Sequence, residues 1–123
     1  MNISIDYTSD LPMYEQIETC IKTNILSGDL KFNDILPSVR NLAKELNVST
    51  ITIKRAYMEL EHQGLTYTIS GKGTFVNTVD TSSLLLEIKD KLIKEYKNMT
   101  LKIMEAGIDE DTVINIIETI YRG

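Results

Sequence analysis

The chain has 123 residues, 42% hydrophobic and 25% charged, with a formal net charge of −5, ordinary proportions for one soluble domain with a short appendage. No apolar run is longer than three residues, far below the ~20 of a membrane-spanning helix, and Met1-Asn2-Ile3-Ser4 begins no secretory signal. A single cysteine, Cys20, excludes an internal disulfide and a cysteine-based metal cluster, so the chain is expected to be cytoplasmic and to hold no metal or cofactor.

Tyr14, Ile17, Ile21 and Ile25 recur at spacings of three and four and predict a first helix. Asp10 is its expected cap, Pro12 fits its first turn, and Gly28 lies just past its end. Cys20, beside Ile17 and Ile21, is expected to be a small buried hydrophobe. A connector over residues 29–36 contains the turn-prone Asn33-Asp34 pair. Pro37-Ser38 then opens a second helix, with Ser38 as N-cap, Val39, Leu42, Ala43 and Leu46 on its buried face, and Asn47 as the left-handed residue that ends it.

Ser49 caps a third helix that runs to about Gln63 and closes at Gly64. Two short helices joined by a tight turn make a helix-turn-helix. Leu65, Tyr67 and Ile69 then alternate with Thr66, Thr68 and Ser70, Gly71-Lys72-Gly73 turns, and Thr74-Phe75-Val76 returns, which predicts a hairpin. Residues 1–78 thus read as a winged helix-turn-helix.

Beyond Val79, Leu85, Ile88, Leu92, Tyr96, Met99 and Ile103 form one stripe of a long helix ending at Gly107. Asp109-Glu110-Asp111 starts a last helix carrying Val113, Ile114, Ile117, Ile120 and Tyr121. Residues 79–123 are too few to enclose a core of their own. Burial against the same unit of a second chain is the expected solution, a homodimer with Leu85, Ile88, Leu92, Tyr96, Met99, Ile103, Ile117 and Ile120 in its interface. The expected fold class is mainly α with a small β-hairpin, a winged helix-turn-helix followed by a two-helix dimerisation unit.

Residues 1–37 carry −4, residues 79–123 carry −3, and residues 38–78 carry +2, so the only basic part coincides with the helix-turn-helix and hairpin. Phosphate responds to the local field within about 8–10 Å, which lets an acidic chain present a basic face. On the third helix Ile53, Ala56, Tyr57 and Leu60 share one side, leaving Ile51, Lys54, Arg55 and Met58 opposite, with Thr50 and Thr52 flanking. Such a face is commonly no more than solvated surface. The tight helix pair, the local charge and the hairpin together favour DNA instead. Lys54 or Arg55 can bond guanine, Ile51 can cover a thymine methyl, and Ser49 and Thr50 beside free helix amides suit a phosphate. Arg40 can reach the DNA backbone, and Lys72, at the tip of its glycine turn, can reach phosphate or the minor groove.

Catalysis finds no support: His62, between Glu61 and Gln63, reads as an exposed or C-capping residue, and no nucleophile, base and orienting group stand at a fitting spacing. The competing function is a winged-helix module that binds protein rather than DNA, which the acidic total and the exposed Ile51 and Met58 would suit. A small-molecule effector stays open. Tyr96, Met99, Met104 and Tyr121 read as dimer core, yet a groove between subunits offers the room that a 45-residue tail lacks.

The motifs Leu36-Pro37-Ser38-Val39-Arg40, Leu42-Ala43, Val48-Ser49, Thr52-Ile53, Ala56-Tyr57 and Leu60-Glu61 lead to Gly71-Lys72-Gly73-Thr74-Phe75-Val76. With Pro12-Met13-Tyr14, Gln16-Ile17 and Ser27-Gly28, they resemble the GntR family of bacterial transcriptional regulators over about residues 10–78. The short helical tail resembles that of the YtrA-like subfamily. The resemblance implies a homodimeric repressor on a palindromic double-stranded operator, with a transporter operon as its target. It also implies DNA contacts from Arg40, from Ser49, Thr50, Thr52 and Lys54, and from the wing residues Ser70, Gly71 and Lys72, with Gly73 completing the turn. The chain departs from the family at one place: an arginine often follows the first serine or threonine of the recognition helix, where this chain has Thr50 and then Ile51.

Overall fold

A computed structural model describes residues 1–123. The elements follow in the order α1 (Met13–Ser27), α2 (Val39–Leu46), α3 (Thr50–His62), β1 (Thr66–Ile69), β2 (Gly73–Val76), α4 (Thr81–Glu105) and α5 (Glu110–Arg122). They divide into two compact units, Met1–Leu85 and Leu86–Gly123.

Local chemistry sets most boundaries. Ser38 Oγ accepts from the Asn41 amide at 3.1 Å to start α2, and Asn47, at φ 55°, ends it in the left-handed region. Ser49 Oγ accepts from the Thr52 amide at 3.2 Å to start α3. The first helix differs from expectation: it begins at Met13, with the carbonyl of Pro12 taking the Glu15 and Gln16 amides, rather than at a cap on Asp10. Pro12 carries no side chain able to cap, and its φ of −55° suits the entry to the helix.

In the first unit α1 and α2 both pack on α3. Ile17, Ile21, Leu42, Ile53, Leu60 and Val76 fill the centre. Val39 and Leu46 are only half-buried at the two ends of α2. Cys20 is likewise half-buried, and its thiol donates to the Ser4 carbonyl at 3.5 Å. The segment that covers this side of α1 is the N-terminal arm, held by two amide side chains acting as strand surrogates. Asn24 accepts from the Asn2 amide and donates to its carbonyl, at 3.1 and 2.8 Å. Gln16 does the same for Asp6, at 2.8 and 3.1 Å. The arm also reaches the helix-turn-helix, where the Tyr7 hydroxyl donates to the carbonyl of Leu46 at the end of α2.

The hairpin pairs Thr66 with Val76, Tyr67 with Phe75, Thr68 with Thr74 and Ile69 with Gly73. Its facing overturns the simple apolar alternation. Thr66 is 2% exposed, whereas Ile69 is 41% exposed. Residues directly opposite share a face, so Thr66 goes inward with Val76 at the base, while Ile69 lies at the projecting tip. Tyr67 stacks on Phe75 with ring centroids 5.5 Å apart. The connector is more than a turn: Asn33 and Leu36 donate to the carbonyls of Val76 and Thr74, and Asp34 accepts from Val76, each at 2.8 Å. Ile35 thereby forms an antiparallel bridge to Phe75 along the free edge of β2.

Along α4 and α5 the helical stripe is mostly uncovered. No residue of α5 is buried. Of the apolar positions expected at an interface, Leu85, Leu92, Tyr96, Met99 and Ile120 are exposed, Ile103 and Ile117 are half-exposed, and Ile88 alone is buried within the chain.

Candidate nucleic-acid interface

The first turn of α3 is locked by its own hydroxyls. Ser49 Oγ lies 2.8 Å from Thr52 Oγ1 and takes the Thr52 amide as well, which commits both side chains to each other and fixes the entry of the helix. Thr50 and Ile51 then project to solvent, as do Lys54 and Arg55 one turn on. The opposite side of α3, Ile53, Ala56, Tyr57 and Leu60, is buried in the core. Because the first turn contains no acidic residue, nothing opposes the positive end of the helix dipole.

The two cations of α3 differ in state. The Arg55 guanidinium lies 3.9 Å above the ring of Tyr14, and its Nη2 donates to the Tyr14 hydroxyl at 3.2 Å. Partial burial pushes the Tyr14 hydroxyl above its usual range, with the arginine pulling against it. Arg55 is therefore anchored to α1. The Lys54 side chain has no hydrogen bond or ion pair within the chain, and the same holds for Arg40 and Lys72.

Arg40, in the first turn of α2, is placed from behind. The Tyr57 hydroxyl donates to the Pro37 carbonyl at 2.7 Å, tying the start of α2 to α3, and burial holds that hydroxyl well above its ordinary pKa. Across an open groove of about 450 Å³, Pro37, Ser38 and Val39 face the wing residues Ser70, Gly71 and Lys72. The wing turn is closed by the Lys72 amide on the Ile69 carbonyl at 2.9 Å. Gly71 and Gly73 stand at φ 78° and 132°, and a Cβ on Gly73 would come within 3.0 Å of Ile35 Cδ1.

The structure thus brings the expected wing residues Ser70, Gly71, Lys72 and Gly73 to one groove, leaves Arg40 exposed outside its lining, and sets Thr50, Ile51, Lys54 and Arg55 on the outward side of α3. Periodicity could not have found the residues behind them. Tyr14 and Arg55 are 41 positions apart, Tyr57 and Pro37 20, and Tyr7 and Leu46 39.

No helix is long and apolar enough to cross a membrane. A family model described as "Bacterial regulatory proteins, gntR family" matches residues 13–76. The chain is 38% identical over 108 residues to the HTH-type transcriptional repressor YtrA of Bacillus subtilis, covering 87% of this chain and 82% of that protein. Among solved structures it resembles a GntR family transcriptional regulator from Listeria monocytogenes, with 30% identity, 94% and 98% coverage and a TM-score of 0.61. It also resembles the DNA-binding domain of AraR solved in complex with an operator, with 30% identity, 62% and 95% coverage and a TM-score of 0.55.

Proposed function

The chain belongs to the gntR family of bacterial regulatory proteins, and from that premise we propose that it is a cytoplasmic repressor that binds a palindromic DNA operator as a homodimer, with a transporter operon as its target. It is a transcriptional regulator with a winged helix-turn-helix, not an enzyme. One observation carries the DNA contact: Arg40, Lys54 and Lys72, on α2, α3 and the wing, are cations without a partner in an acidic chain. Cations kept free of acids are available to displace counterions from phosphates. In this reading Thr50, Ile51 and Lys54 enter the major groove, Lys72 and its glycine turn follow the adjacent backbone, and Arg40 with the amides around Ser49 holds phosphates. Arg55 flanks them as an anchored charge. The uncovered apolar positions of α4 and α5 support the pairing of two chains through their tails.

The test is selection of a binding site from random duplexes by the purified protein, followed by titration at several salt concentrations. A symmetric site is expected. Three free cations on each of two subunits give a slope of log affinity on log salt of about −5. Binding that ignores salt, or no enriched site, would favour a protein-binding winged helix.

A further inference from the structure

Ile51 is 77% exposed, more than any other large apolar side chain of the first unit. At 100° per residue it points about 170° away from the centre of the buried side of α3, more squarely outward than Lys54. Its direction is fixed twice, by the Ser49–Thr52 lock on the first turn and by the stiff χ1 of a β-branched side chain in a helix. It therefore enters a major groove first, flanked by Thr50 and the free Lys54. Isoleucine offers no donor or acceptor, so it gains nothing from the edges of guanine, adenine or cytosine. The one apolar group that an unmodified base presents in that groove is the C5 methyl of thymine.

We propose that Ile51 reads a thymine in each operator half-site through its C5 methyl. This rests on operator binding by α3 and adds the base at one position. In the selected operator, each thymine is replaced in turn by deoxyuridine, symmetrically in both half-sites, and affinity is measured for the wild type and for Ile51→Ala. The substitution removes one methyl and leaves every hydrogen-bonding group in place.

At one thymine, the wild type is expected to lose about fourfold per half-site, the worth of one buried methyl-sized group. Ile51→Ala should bind the thymine and uracil operators equally, while its unchanged melting temperature shows that an exposed side chain was removed without harm to the fold. Uracil penalties that are the same for both proteins at every position would overturn the proposal and leave operator binding standing. Full affinity of Ile51→Ala for the thymine operator would also overturn it, with operator binding by the rest of α3 left standing. Failure to select any operator would overturn operator binding itself, and the proposal with it.

Discussion

Buried at the base of the hairpin, the Thr66 hydroxyl has no hydrogen-bond partner. A buried polar group left unpaired costs about 1–3 kcal/mol, so this residue weakens the fold it helps to fill. Thr66→Val keeps the branched shape, removes the hydroxyl, and should stabilise the protein by about 1 kcal/mol, a rise of roughly 4–8 °C in Tm for a unit of this size. Thermal melts of the two proteins at one concentration check this, and a lower Tm for valine would show that the hydroxyl is hydrated. The buried charges on α1 are handled differently. Glu18 and Lys22 pair at 3.1 Å, and Gln63 at the end of α3 donates to the same Glu18 oxygen at 2.6 Å. On the outward side of α3, Tyr14 does for Arg55 what Glu18 does for Lys22, supplying a partner from another turn or element. Sequence patterns show that these polar side chains exist and on which helix face they lie. They do not show which are spoken for, and that distinction separates Arg55 from Lys54.

At the scale of elements, the legible features are those whose causes are local. The caps at Ser38 and Ser49 and the left-handed end at Asn47 involve atoms within a turn of each other, so residue type and order sufficed. The hairpin turn was legible for the same reason, whereas its facing was not, because burial of Thr66 depends on where α3 lies. The start of α4 is local too, and it titrates. Asp80 Oδ2 accepts from the Ser83 hydroxyl at 3.0 Å, and Oδ1 from the Ser83 and Ser82 amides at 3.4 and 3.1 Å. The Ser83 hydroxyl, then these amides, hold the carboxyl below its ordinary value. Because the folded pKa is the lower one, the cap contributes in full above the unfolded value and is lost as pH falls through the folded one. Asp80→Asn should therefore be less stable than the wild type at neutral pH, by a gap that holds down to about pH 5 and closes below it. Denaturant melts across that range measure it, and a gap that persists in acid would mean that the cap acts through shape rather than charge.

For the whole molecule, periodicity revealed the apolar stripe of α4 without showing how it is covered. Ile88 is buried within the chain, so it has little surface left to give to a second subunit. The exposed positions also exceed one stripe. Leu86, Ile93 and Met104 lie about 105° around α4 from Leu92, Tyr96 and Met99, and all six are exposed. A helix that is apolar over so wide an arc needs covering on two sides, and α5 adds Ile116, Ile120 and Tyr121, also exposed. A second copy of the same two helices has the matching composition and, by symmetry, the matching need. Leu92→Glu combined with Ile120→Glu would place four like charges in that interface and should yield a monomer by sedimentation equilibrium, with the melting of the first unit intact. Two linked sites gain from effective concentration. The monomer should therefore keep its affinity for a single half-site but lose about 10²–10⁴-fold on the full palindrome. If the double variant stays dimeric, the contact between subunits belongs to the first unit, and the exposed helices must serve another partner.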